Sequence, residues 1–430
     1  MITFLFYLIL GIMVYNYTFS IFLEWLNHRN RPDTLPLLIS DVYDAENYQK
    51  QQNYEKEKIR LSIIESSFSS ILVLSFFILR GFGYLQATLS ETSQNQIIQT
   101  LMFFGILGLI SLILSLPFSY YDKFVIEEKY GFNKSTKKLF IIDILKNIVL
   151  MGVLGGIVLS VITWLYLLSP NIFWITALVI VLFFSLLMNA LYSTIILPLF
   201  NRKTPLPEGD LKSKVIEFAT SLGFSINRIY LIDGSKRSTK ANAFFTGFGN
   251  KKSIFLYDTL TNKLSDDEIV AVLAHELGHY KKHHIWINLS VGMIQAALFL
   301  YFFGLISQSL VFTKVMGGVG NSSVFYLNAL CFVLLIDPIQ TLLGVLMNAI
   351  SRKMEFSADR FAAINGMGIG LINALKKISS LNYSNLTPHP LYVLINYSHP
   401  TLYSRLVALK SCINSENDCL ANNKTFGNNV

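Results

Sequence analysis

Charge is scarce in this chain. Of its 430 residues 14% are Asp, Glu, Lys or Arg, against 52% hydrophobic, and the mean hydropathy is +0.47. A soluble chain of this length would form two or three domains under a polar skin, and so little charge cannot supply that skin. The balance suits a polytopic membrane protein with a modest soluble portion. Cysteine is scarcer still. Cys331, Cys412 and Cys419 make no spaced metal or disulfide framework; Cys331 reads as a small hydrophobe inside a membrane helix, and the other two lie in a polar tail. No basic run is interleaved with aromatics, so the net charge of +8 does not imply a nucleic-acid partner. No basic segment precedes the first apolar run and no small-residue cleavage site follows it. Residues 2–23 therefore read as a first transmembrane helix rather than a signal peptide.

Apolar runs of spanning length are abundant. After 2–23 they recur at about 67–88, 97–119, 139–168, 172–199, 286–313 and 323–350, which makes seven spans. Residues 46–58, rich in Asn, Gln, Glu and Lys, read as an exposed helix. The chain thus divides into 1–199, five spans with polar loops 24–66 and 120–138; 200–285, a soluble segment; 286–350, two further spans; and 351–430, a polar C-terminal segment. The loops test this count. Loop 24–66 carries Arg29, Arg31, Lys50, Lys56, Lys58 and Arg60, and loop 120–138 carries Lys123, Lys129, Lys134, Lys137 and Lys138. The alternate loops 89–96 and 169–171 carry no Lys or Arg, and 314–322 only Lys314. By the positive-inside rule this alternation puts the N-terminus outside or lumenal, and the 200–285 segment and C-terminus in the cytosol.

Arg80, Asp143, Lys146 and Asp337 fall within the predicted spans, where ionisable groups face an interior or a watery cavity. Asp143 and Lys146 have the i, i+3 spacing of a pair, although Lys146 also suits an interface to which it can snorkel. Asp337-Pro338 marks a kink in the seventh span.

The soluble segment reads as a small α+β unit. Residues 209–222 have helical periodicity, Arg228–Ile232 and Ser253–Tyr257 read as strands, and Asn242–Phe245 as another between them. Ser265-Asp266-Asp267-Glu268 is a capping-box start, followed by an apolar face at Ile269, Val272, Leu273 and Leu277. That helix carries His275-Glu276-Leu277-Gly278-His279. On a helix the two histidines are about 40° apart in azimuth and roughly 6 Å apart along the axis, so both can reach one metal ion. Glu276 between them is placed to take a proton from a metal-bound water. His283 and His284 follow off the i, i+4 register and add little. The pattern fixes only three residues and arises by accident in on the order of one such chain in a hundred or fewer, so a third ligand matters. A catalytic zinc takes three protein ligands and keeps one position for water. Past the seventh span, Glu355 and Asp359 share a helical face: Glu355 could complete a His₂Glu set, and Asp359 could accept from a ligand histidine's free N–H. An exposed acidic pair beside Arg352, Lys353 and Arg360 is the plainer reading.

The motif H-E-L-G-H followed by Ser351-Arg352, Glu355-Phe356 and Ala358-Asp359 resembles the integral-membrane zinc metalloproteases of the type I CAAX prenyl protease family. Phe118–Tyr121 with Phe124–Asn133 is similar to that family's loop between the third and fourth helices. Gly234–Ser238 with Asn242-Ala243 is similar to the stretch ahead of the zinc helix, and Ser398-His399-Pro400 with Arg405 to the C-terminal substrate-contacting stretch. The resemblance runs from about 40 to 410. It departs at Lys240, where the family often has a histidine, a position that bears on substrate fit near Asn242 and not on metal binding. The tail 411–430 matches nothing and carries no lipidation or retrieval signal.

The resemblance implies a mainly α-helical polytopic fold, with seven transmembrane helices around a chamber and a small α+β cytosolic protease portion. It implies one Zn²⁺ per chain held by His275, His279 and Glu355, Glu276 as the base, Asp359 behind a ligand, and His399 and Arg405 as donors to the tetrahedral oxyanion. Asn242 and its strand would hold the peptide extended by pairing along a sheet edge. The expected activity is zinc-dependent endopeptidase cleavage, removing the C-terminal tripeptide from prenylated CAAX-type chains. Its partners would be a peptide or protein substrate and membrane lipids. The expected membrane is the endoplasmic reticulum in a eukaryote, or the inner or plasma membrane in a bacterium. A broad-specificity membrane quality-control protease would use the same site. A transporter or channel with structural zinc would not, since a structural site has no use for Glu276, and the spans show no inverted repeat.

Overall fold

A computed structural model describes residues 1–224, 228–246 and 253–426. Seven helices are long and apolar enough to cross a membrane: Ile2–Arg29, Ala45–Ile78, Gln96–Lys129, Lys137–Leu168, Phe173–Phe200, His284–Ile306 and Phe325–Leu381. Helices are what these runs must form, because hydrocarbon offers no partner for an open backbone N–H or C=O. Polar caps set where they begin. Asp44 accepts from the Asn47 amide at 2.7 Å, Asn95 from Ile97 at 2.9 Å and Thr136 from Leu139 at 3.1 Å.

Two spans differ from the sequence expectation. Helix 46–58 and the second span are one helix, Ala45–Ile78, so the span lies earlier than 67–88, and the polar part is not exposed all round: Gln51 and Tyr54 are buried, Tyr54 against Ile126 and Phe132. Arg80 sits beyond its end with φ +57, turning the chain into a separate helix, Gly81–Thr92; it falls outside the second candidate span. The sixth span stops at Ile306, and Leu310–Val315 is a short helix of its own. The seventh runs as α-helix from Phe325 to Ala362, through Pro338. Asp143 and Lys146 do not pair: Asp143 is held by Arg237, and Lys146 donates to the Leu199 carbonyl at 2.7 Å.

Each span packs on the next in chain order, and the seventh returns to the first, which closes a ring. Burial along the spans shows that the ring is hollow. Nothing is buried between Ile9 and Leu23 of the first span, Tyr54 and Phe77 of the second, or Phe103 and Ile126 of the third. The same holds between Ala177 and Leu197, between His284 and Phe303, and between Ile336 and Met354. A solid bundle would bury a continuous face, about three residues in every seven. Here the helices touch fully only at their ends. One end is closed by aromatic clusters, Phe77, Phe82, Phe103 and Tyr326 on one side and Tyr166, Phe173, Phe303 and Phe325 on the other. Cys331 is buried in the first of these, as a small hydrophobe.

The soluble portion closes the opposite end. Its four-stranded sheet has the order β1-β2-β4-β3, with β1 Lys203–Pro205, β2 Ile229–Ile232, β3 Ala243–Thr246 and β4 Ser253–Tyr257. The central pair β2–β4 is parallel and both edges are antiparallel, and among the described residues β3 pairs on one side only. Arg237 ties this unit to the membrane ring: its Nε and Nη2 each lie 2.9 Å from a carboxylate oxygen of Asp143 in the fourth span. The neighbouring backbone pairs with the loop after the third span, Lys134 N donating to Arg237 O and Thr239 N to Phe132 O, both at 3.1 Å. Two stretches of the sequence resemblance, 124–133 and 234–238, thus form one seam.

Candidate metal centre

The motif helix, Asp266–Lys281, begins at the capping box expected. Ser265 accepts from the Glu268 amide while Glu268 Oε2 accepts from the Ser265 amide at 2.8 Å. Ile269, Val272, Leu273 and Leu277 bury against the sheet. The opposite side is made of small residues. Ala271 and Ala274 are fully buried there, facing Ala362 of the seventh span and the helix Gly368–Leu381. Gly278 permits the closest approach: a Cβ at that position would lie 3.0 Å from the Ala358 Cα and 3.1 Å from its carbonyl oxygen. The motif histidines therefore sit directly over Glu355 and Asp359.

Two imidazole nitrogens and the two oxygens of Glu355 converge. His275 Nε2 is 3.1 Å from His279 Nε2, 3.4 Å separates it from Glu355 Oε2, and His279 Nε2 is 3.3 Å from Glu355 Oε1. A tetrahedral zinc about 2.1 Å from each ligand holds its donors about 3.4 Å apart, so the spacing fits such an ion. Glu355 is buried, and its Oε2 has no hydrogen-bond partner among the described residues. A buried carboxylate oxygen left so is costly unless a cation completes it. His275, His279 and Glu355 form a group that could hold a metal ion.

Around these three, the remaining charges are ordered. Asp359 Oδ1 lies 2.8 Å from His275 Nδ1, and Arg405 grips the same carboxylate with Nε at 2.9 Å and Nη2 at 2.6 Å. Burial would lower the His275 pKa, but Asp359 and Glu355 outweigh it and raise it to about 9. Burial raises the pKa of Glu276, against the pull of the two motif histidines. His399 stands on the open side with its side chain 65% exposed, its Nδ1 3.1 Å from Glu355 Oε1. These residues share a cavity of about 980 Å³ with Asn242, which lies just ahead of the edge strand β3. Seven of the eight residues singled out in the sequence line this cavity, and the eighth, Asp359, stands behind His275 and Arg405. Arg405 differs from a free oxyanion donor: Nε and Nη2 are taken by Asp359, and Nη1 lies 3.6 Å from Glu355 Oε2.

Two neighbours escaped the sequence reading. His284, set aside for its register, places Nδ1 2.9 Å from His279 Nδ1. The helix ends at Lys281 and His283 adopts φ +57, so helical register does not apply across that turn. Lys240 reaches back to the membrane part, donating to the Tyr54 hydroxyl at 2.9 Å and Glu127 at 3.1 Å. Only the left-handed turn and the charge of Glu127 could have hinted at either contact, and neither is a pattern in the chain.

Two family models match the chain in succession: the CAAX prenyl protease N-terminal region of five membrane helices over residues 25–202, and peptidase family M48 over residues 205–413. The chain is 31% identical to CAAX prenyl protease 1 of Saccharomyces cerevisiae, covering 94% of each chain. It is 35% identical to a CAAX prenyl protease 1 homolog of Oryza sativa subsp. japonica, over 94% of this chain and 96% of that one. The human homolog is 28% identical, over 93% and 95%. The crystal structure of S. mikatae Ste24p superposes with a TM-score of 0.87 at 33% identity, covering 94% of this chain and 98% of that one.

Proposed function

Since the chain belongs to the CAAX prenyl protease 1 family of M48 zinc metallopeptidases, we propose that it cleaves the C-terminal tripeptide from prenylated CAAX-type chains, at a site on the cytosolic face of its membrane. The observation that carries this reading is the convergence of His275, His279 and Glu355 at 3.1–3.4 Å, beside Glu276, in a cavity at the end of a hollow membrane ring.

His275, His279 and Glu355 would hold one Zn²⁺. When bound, zinc supplies the Lewis acidity that makes water nucleophilic near neutral pH and polarises the scissile carbonyl. Glu276 accepts the proton of the attacking water and passes it to the leaving amine. Its burial favours the protonated form, so the proton it gains is not lost to bulk solvent. Asp359 keeps His275 in the Nδ1–H tautomer, leaving Nε2 for the ion. His399 opens on the cavity and donates to the developing oxyanion, with Arg405 Nη1 as the second donor. The free side of β3, with Asn242 at its start, pairs with the substrate backbone. The hollow ring gives an isoprenoid chain an apolar place beside the cleavage site and excludes folded proteins. The basic loops support the cytosolic orientation.

Purified protein in detergent, given matched farnesylated and unlipidated peptides, tests the substrate class. The expected result is release of the terminal tripeptide, seen by mass spectrometry, from the farnesylated peptide at least tenfold faster. Equal rates would favour a broad membrane protease.

A further inference from the structure

With Nε2 of each motif histidine directed to a common ion, each ring must carry its proton on Nδ1. The two protons meet different acceptors. His275 faces the Asp359 carboxylate at 2.8 Å, whereas His279 faces Nδ1 of His284 at 2.9 Å. A donor at His279 Nδ1 requires an unprotonated nitrogen opposite it, which makes His284 the neutral Nε2–H tautomer. His284 is only 5% exposed and is the first residue of the sixth span. It reaches His279 because Lys282 and His283 turn the chain sharply, with His283 at φ +57. The rings meet edge to face, with centroids 4.9 Å apart and planes at 75°.

We propose that His284 is a positioning residue for the metal centre, fixing the tautomer and ring angle of His279 through a neutral imidazole acceptor. The inference rests on the zinc-site reading above. An imidazole nitrogen is a weaker acceptor than a carboxylate, so His279 is the less basic of the two histidine ligands. It also adds no further negative charge beside Glu355, Asp359 and Glu276. The start of a membrane span thereby becomes part of the metal site, and the ion is coupled to how the sixth span sits.

The test uses full-length protein stripped of metal in detergent, titrated with Zn²⁺ against a competing chelator and with Co²⁺ by absorption. His284→Leu removes the acceptor, His284→Met leaves only a weak thioether sulfur, and His284→Gln retains an amide oxygen. The expected result is zinc affinity 10–100-fold weaker for Leu and Met, a changed Co²⁺ ligand-field spectrum, and affinity within a few-fold of wild type for Gln. Wild-type affinity in the Leu or Met variant overturns the proposal. So does equal loss in all three, which would mean that only the shape of the ring matters. Glu355→Gln separates this from failure of the zinc reading. If that variant binds zinc as wild type does, the ligand set itself is wrong, whatever the His284 variants do.

Discussion

Glu276 and the two motif histidines lie within five positions of one helix but answer to different forces. Each imidazole is held by a partner on its far nitrogen, while Glu276 has burial and, among the described residues, no hydrogen bond of its side chain. A carboxylate in that setting is free to take a proton. Replacing it with Gln keeps shape and volume but removes the base; zinc content should be unchanged and peptide cleavage should fall by 10²-fold or more, the order expected for loss of a general base. Metal analysis and turnover on the same sample check both halves, and retained cleavage would sink the assignment. The pH dependence follows with its sign. The working form of Glu276 is the carboxylate, and burial raises its pKa above the ordinary glutamate range. Activity should therefore rise with pH along an acidic limb displaced upward from the ordinary glutamate range. A limb centred at or below about 4.3 in kcat/KM would contradict that environment.

At the scale of elements, the site depends on how closely the motif helix lies against the seventh span. Ala271, Ala274 and Gly278 face Ala358 and Ala362, and the small residues bring the two helices together. Gly278→Ala would place a methyl 3.0–3.1 Å from Ala358 and Phe361 atoms, of which the Ala358 contacts are backbone and yield little. Helix propensity favours Ala by up to about 1 kcal/mol, yet the packing conflict should dominate. Overpacking of this kind costs about 1–3 kcal/mol. The expected outcome is a lower thermal midpoint and a zinc affinity at least tenfold weaker, because His275 and His279 retreat from Glu355. Unchanged affinity would show that the helix pair can shift without moving its ligands.

For the molecule as a whole, two parts must stay in register: a ring of seven spans with a hollow middle, and a sheet-and-helix unit across one end. Asp143 and Arg237 are the clearest bond between them, bidentate and shielded, with side chains 16% and 19% exposed. A pair of this kind is costly to break one-sidedly. Arg237→Ala and Asp143→Asn should each reduce cleavage and thermal stability, and the double variant should lose less than the sum. A coupling energy of about 1–3 kcal/mol is expected, measured as a double-mutant cycle on unfolding midpoints. Additive losses would mean that the seam at residues 132–134 and 237–239 docks the unit without this ion pair.

The chain's own order of residues determined that there would be seven helical spans and a capped motif helix with two histidines four residues apart; Glu355 as their companion came from the family resemblance. These depend on local composition, on period 3.6 and on motif spacing, all of which survive without neighbours. It could not determine that helix 46–58 continues into the second span, because polar and apolar stretches both satisfy a helix and only the solvent changes along it. Nor could it pair Asp143 with Arg237 rather than Lys146: the i, i+3 rule knows only the same helix, and the actual partner lies 94 residues away. His284 escaped for a related reason, since one left-handed residue cancels helical register. The hollow ring was the most distant of these features. Whether an apolar face meets another helix, lipid or an enclosed space is decided by the seventh span returning to the first, which no local pattern records.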